Sequence, residues 1–189
     1  MKKFLRQYGV LCALLAISLT AFGQAGYIKA KAILAQYLLE DAWQQTLTDG
    51  QEHKPWDWAD TFPIAKLQVP SQNIEQLVLS GASGRNLAFG PGHLLSSSLP
   101  EQAGHTILGG HRDTHFEFLQ YLKAGDEISI QDKYGVVHQF KVTGIEVHNI
   151  ETDQIQDRGF NQLTLVTCYP FNTLEVGGPL RYLVHAEKV

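Results

Sequence analysis

The sequence is poor in the residues that mark several large protein classes. Among 189 residues there are only two cysteines, Cys12 and Cys168, which rules out a disulfide-stapled scaffold. Charged residues make up 18% and no block of like charge exceeds two residues, so a polyelectrolyte arm is excluded. Hydrophobic residues make up 44%, too many for a disordered chain. The 17 glycines follow no collagen-like period and indicate turns. The length accommodates about one domain.

Basic charge is scarce where it would matter for nucleic acid. Residues 1–40 carry Lys2, Lys3, Arg6, Lys29 and Lys31 against Glu40 alone, a net +4. The remaining 149 residues carry ten basic and eighteen acidic side chains, a net −8. A domain of that charge repels a phosphate backbone, so nucleic acid is excluded as a partner.

The cationic N-terminus precedes an apolar stretch. Tyr8–Ile28 is 21 residues long with one amide, Gln24, and is stopped by Lys29 and Lys31. A helix of that length crosses about 30 Å of hydrocarbon. The sequence predicts a signal-anchor at 1–28, a juxtamembrane helix and linker at 29–55, and a folded domain at 56–189. Ala21-Phe22-Gly23 also fits a cleaved signal peptide, so both fates stay open. Three positive charges before the span against two after it predict a cytoplasmic N-terminus and an extracytoplasmic, periplasmic domain held at the inner membrane. Cys12 then lies in the bilayer and Cys168 is expected to be unpaired, either deeply buried or used chemically.

Ile33, Leu34, Tyr37, Leu38, Ala42 and Trp43 recur at helical spacing, with a stop at Thr48-Asp49-Gly50. Trp56 and Trp58 are expected to pin the following linker. From Phe62 onward short apolar runs alternate with turn residues: Ile64–Val69, Ile74–Leu79, His105–Gly110, Glu127–Gln131, Val136–Val142 extending toward Ile150, Leu163–Cys168 and Leu180–Ala186. Strands this short predict a mainly β fold, a closed barrel or a sandwich. One short helix is expected at Thr114–Leu122, with Phe116, Leu119 and Tyr121 on its buried side. Ala82–Ser98 reads as loop with one helical turn.

Three segments carry chemistry. Thr164-Leu165-Val166-Thr167-Cys168 is a strand that delivers a thiol at its C-terminal end, the rigid presentation a nucleophile needs. Thr106–His111 is an apolar strand ending in an imidazole, a proton carrier for a departing amine. Leu180–Val184 is a strand with Arg181 on the face opposite Tyr182. Its guanidinium is a fixed positive donor that cannot lose its charge to a thiol or imidazole. Thr167 is a candidate for orienting Arg181 or substrate, although strand alternation puts it on the other face from Cys168. Asp113 is a candidate for an Asx-type turn after His111 or for orienting its ring. His111 and His115 have HxxxH spacing, but no third ligand stands nearby. The acidic residues Asp126, Glu127, Asp132, Glu146, Glu151 and Asp153 lack EF-type spacing. No metal and no cofactor is expected. His93, His105, His138, His148 and His185 read as surface or structural groups.

TLVTC, the GGHRDTHF segment and the late PLRYLVHA strand resemble the sortases, cysteine transpeptidases of bacterial surfaces. The PWDWADTFPIAKLQVP stretch further resembles the sortase subgroup of Gram-negative, largely marine, proteobacteria. The resemblance covers residues 56–189. It implies an eight-stranded β-barrel with Cys168 as nucleophile, His111 as acid/base and Arg181 as oxyanion stabiliser. It also implies a secreted substrate with an LPxTG-like C-terminal sorting signal and an amine acceptor. Two rival readings are a thiol hydrolase on the same fold and a non-catalytic barrel that binds an extended peptide.

Overall fold

The computed structural model describes residues 2–153, 159–173 and 177–189, with side chains from Tyr8 onward. The chain divides into two units, Met1–Tyr37 and Leu38–Val189. The first is the helical, apolar N-terminal stretch, whose side chains Leu14, Leu15, Ile17, Leu19 and Phe22 are all exposed. This helix is long and apolar enough to cross a membrane. It belongs to one uninterrupted helix, α1 (Lys2–Asp49), so Lys29 and Lys31 do not break the backbone. The predicted stop is found: Gly50 takes φ 72°, and its amide donates to the Thr46 carbonyl at 2.7 Å. That left-handed conformation is one glycine adopts without steric penalty.

In the second unit, eight strands form a closed barrel among the described residues. They are β1 (Pro63–Val69), β2 (Ile74–Ser80), β3 (Gly92–His93), β4 (His105–Gly109), β5 (Glu127–Asp132), β6 (Val137–Asn149), β7 (Gln162–Cys168) and β8 (Leu180–Lys188). Their order around the barrel is β1-β2-β3-β4-β7-β8-β6-β5, with β2/β3 and β4/β7 parallel and the other pairs antiparallel. Closure removes every sheet edge along the paired lengths. Strand alternation fills the interior with Leu67, Val78, Leu108, Ile128, Ile130, Leu163, Leu165 and Val184, all fully buried.

The last turns of α1 contribute Leu39, Ala42, Trp43 and Thr46, a buried stripe at helical spacing. Glu40 beside it pairs with Lys66 on β1 at 3.2 Å. Of the residues expected to share an apolar helix face, Ile33, Leu34 and Tyr37 are exposed. Apolar residues run almost all the way round this helix, so periodicity alone does not choose a face.

Three further expectations are corrected. The helix predicted at Thr114–Leu122 is a 3-10 segment, Glu117–Tyr121. Its three-residue period aligns Phe116, Leu119 and Leu122, all buried, and leaves Tyr121 56% exposed. Trp58 is 85% exposed and pins nothing, whereas Trp56 packs edge-on against Phe89 with centroids 5.5 Å apart. The loop Ala82–Ser98 contains the predicted turn, a 3-10 segment at Asn86–Ala88, but also β3, which was not foreseen.

Replacing Trp43, fully buried, with Ala is expected to cost about 3–5 kcal/mol through lost transfer energy and a residual cavity. Trp58→Ala should stay within about 0.5 kcal/mol of wild type. Urea melts of the two variants check both values.

Candidate active site

The topology gathers three strand ends on one rim. Because β4 and β7 run parallel, with Gly109 opposite Val166, their C-terminal ends lie side by side. Because β8 runs antiparallel to β7, its N-terminal end meets the same rim, with Arg181 directly opposite Cys168. Opposed residues in an antiparallel pair share a face, with Cβ atoms about 4.5–5.5 Å apart. That face is the outer one, since Leu163, Leu165 and Val184 occupy the interior. The Cys168 and Arg181 side chains therefore leave the same outer face of neighbouring strands. Both are partly exposed.

His111 follows two residues after Gly109, and Gly110 between them is bonded to β7 at both ends. Its amide donates to the Val166 carbonyl at 3.1 Å. Its carbonyl accepts from Thr167 Oγ1 at 2.7 Å. The residue before His111 is thus fastened to the residue before Cys168. A side chain at Gly110 would force the buried Phe116 ring to move, because a Cβ would lie 2.6 Å from it. Beyond it the chain turns around the His111 carbonyl, which accepts from the amides of Thr114 (3.4 Å) and Phe116 (2.9 Å). The imidazole itself is exposed to solvent.

The structure gives the other sequence candidates definite partners. Thr167 is buried and spends its hydroxyl on Gly110. Asp113 sits on its neighbour Arg112, Oδ1 to Nε 3.4 Å. His115 is bonded to the Ala88 backbone, and burial holds its imidazole below the usual pKa, with nearby His111 adding to the effect. Among the described residues no group of three or more His, Cys, Asp or Glu is placed to hold a metal. Cys12 and Cys168 are both free thiols.

Arg181 donates through Nη1 to the carbonyls of Gly178 (2.7 Å) and Leu180 (2.8 Å). These bonds hold the guanidinium against the entry to β8. Behind the pair, Tyr169, Phe171 and Tyr182 form a three-ring cluster with centroids 5.1–6.3 Å apart. Burial and the neighbouring Tyr169 push the Tyr182 phenol pKa up.

A buried polar layer on the same outer face escaped the sequence reading. His105 Nε2 lies 2.7 Å from Thr164 Oγ1, which lies 2.9 Å from His185 Nδ1, and His185 Nε2 lies 2.6 Å from Glu146 Oε1. The carboxylate can only accept, so His185 carries its proton on Nε2. The Thr164 hydroxyl bridges the two imidazoles. The string crosses β4, β7, β8 and β6. Of those strands, β7 carries Cys168, β8 carries Arg181, and β4 leads into His111. Toward the start of β4, Ser96–Ser98, His105, Ile107 and Phe160 line an open cleft of about 520 Å³. A second cavity of about 290 Å³ lies by Phe62, His93 and Leu95. Neither is lined by the three rim residues.

The comparisons with known proteins agree with this architecture. Residues 67–189 match the family model of the sortase domain, and the chain belongs to the sortase family. It is 29% identical over 127 residues to sortase D of Bacillus subtilis (strain 168), covering 65% of this chain and 62% of that protein. The chain thus spans less than two thirds of that relative's length. The crystal structure of sortase C-1 from Actinomyces oris is 31% identical with a TM-score of 0.58, covering 67% of this chain and 72% of that one. The Clostridium perfringens sortase D5 transpeptidase, at 19% identity and TM-score 0.66, covers 82% of this chain and 98% of its own, and shares the fold.

Thr167→Val removes the donor to a buried carbonyl and should cost about 1–3 kcal/mol, while Thr167→Ser should retain most of the stability. A hydroxyl serving Gly110 rather than substrate predicts that Thr167→Val leaves the KM for a cleaved peptide nearly unchanged. Urea melts and steady-state kinetics of the two variants provide the check.

Proposed function

We propose that this protein is a membrane-anchored cysteine transpeptidase that cleaves an LPxTG-like C-terminal sorting signal and transfers the product to an amine. The observation that carries the reading is the rim itself: Cys168 faces Arg181 across one strand pair, and the strand end bearing His111 is bonded to the residue before Cys168.

In this mechanism the Cys168 thiolate adds to the carbonyl carbon before the scissile bond. The tetrahedral oxyanion is stabilised by the Arg181 guanidinium, which its bonds to Gly178 and Leu180 hold at the entry to β8. Collapse breaks the C–N bond, and His111 supplies the proton that lets the C-terminal fragment leave as an amine. A thioacyl enzyme remains. An incoming amine attacks it, His111 takes a proton from that amine, and the thiolate departs. Water in place of the amine gives the hydrolase reading, and the exposed imidazole is open to water as well.

The apolar N-terminal helix supports anchoring in the inner membrane. Lys2, Lys3 and Arg6 before the span favour a cytoplasmic N-terminus and a periplasmic barrel. The boundaries 1–28, 29–55 and 56–189 follow from the same reading. The segment PWDWADTFPIAKLQVP supports assignment to the Gram-negative subgroup. The partners are then a secreted or surface protein with the sorting signal, and an amine acceptor.

Cys168→Ala should abolish peptide cleavage and thioacyl formation. His111→Ala is expected to lower the rate by about 10²–10⁴-fold, and Arg181→Ala by about 10²–10³-fold. Arg181→Lys should not restore it, because an ammonium lacks the planar fork. Product analysis with added amines separates transfer from hydrolysis: predominant amide product supports the transpeptidase, and free acid at saturating amine supports the hydrolase. EDTA should leave the rate unchanged.

A further inference from the structure

The residue next to His111 points away from solvent. Arg112 is only 9% exposed, although its neighbours His111 and Asp113 are both exposed. Its guanidinium crosses to the segment that follows Cys168. Nη1 donates to the Pro170 carbonyl at 2.9 Å and Nη2 to the Thr173 carbonyl at 3.2 Å. Nε lies 3.4 Å from Asp113 Oδ1. The planar fork thus joins two main-chain acceptors three residues apart.

No strand ladder joins these two segments. β4 ends at Gly109 and β7 at Cys168, and past the Gly110 bonds the chains diverge into separate loops. Arg112 bridges them. Holding a guanidinium in this nearly water-free position costs desolvation energy, which its carbonyl and carboxylate partners offset. A neutral side chain of similar volume would avoid that cost but would leave two carbonyls without their donor. Lysine would keep the charge but not the fork.

We propose that Arg112 is a positioning residue, latching the loop after Cys168 to the turn that carries His111 so that thiol and imidazole keep one mutual geometry. The proposal rests on the reading of those two residues as catalytic partners. Arg112 itself touches no reacting atom. Its effect passes through the two loops, and displacements of about 1 Å in such a frame lower rates by about 10²-fold.

The test uses the full-length protein and two variants, Arg112→Gln and Arg112→Lys, with folding followed by circular dichroism. A fluorogenic LPxTG peptide gives kcat and KM. Iodoacetamide labelling of Cys168 across pH reads the thiol's surroundings without any substrate. In both variants kcat should fall at least about 10-fold with KM within about 3-fold of wild type, and the pH curve of alkylation should shift. A purely structural arginine would lower the melting temperature and leave the alkylation curve in place. Wild-type kcat in either variant, or superimposable alkylation curves, overturns the proposal. If Arg112→Gln does not fold, Arg112→Lys decides by the same criteria; if neither folds, Arg112 is a core tie and the proposal fails. A wild-type protein that cleaves no peptide overturns the transpeptidase reading instead, and the alkylation curves alone then decide for or against the latch.

Discussion

The bond between Thr167 Oγ1 and the Gly110 carbonyl, together with that from the Gly110 amide to Val166, joins the ends of β7 and β4. Everything at the rim is placed relative to this join. Parallel strands need a long crossover and do not share a tight turn, so nothing local in sequence brings residue 110 to residue 167. The register does it. Once Gly109 stands opposite Val166, the second residue beyond each, His111 on one chain and Cys168 on the other, carries a reactive group while the barrel interior stays apolar. Glycine at 110 is the condition for this approach, because Phe116 fills the space a side chain would take.

The rim combines exposed chemistry with buried support. His111 is open to solvent and Cys168 and Arg181 partly so, as a site for a polymeric substrate requires. The groups that hold them are not. Thr167, Arg112, Thr164, His105 and His185 are all buried, and each spends its polar atoms on a partner from another strand or loop. Such fully paired polar sets rigidify the wall that carries the site. Four strands are joined by the His105–Thr164–His185–Glu146 string alone.

Much of this was legible in the sequence, for physical reasons. TLVTC, HTILGG and LRYLV are β-branched and aliphatic runs whose alternation survives burial on one face, so their identity as strands and the position of the polar residue at each end were readable. The order of the strands was not readable, since alternation carries no pairing information. β3 was missed because Gly92–His93 has no period to detect. It exists because Gly92 lets the backbone approach the Gly81 carbonyl, where a Cβ would lie 2.5 Å away. Tyr121 was misplaced because a 3.6-residue period was applied to a turn with three. Arg112 was given no role and the buried histidines no definite partners, because those partners lie as far as 61 residues along the chain. Only the folded register brings them together.

The central claim is that Cys168 forms a thioacyl bond with the substrate carbonyl beside Arg181 and His111. Intact-mass spectrometry of the protein quenched in acid during turnover of an LPxTG peptide, followed by peptide mapping, tests it most directly. The account predicts an adduct with the mass of the N-terminal fragment of the substrate, located on the peptide containing Cys168 and discharged by an added amine. Turnover without any adduct, or with an adduct on another residue, would contradict it.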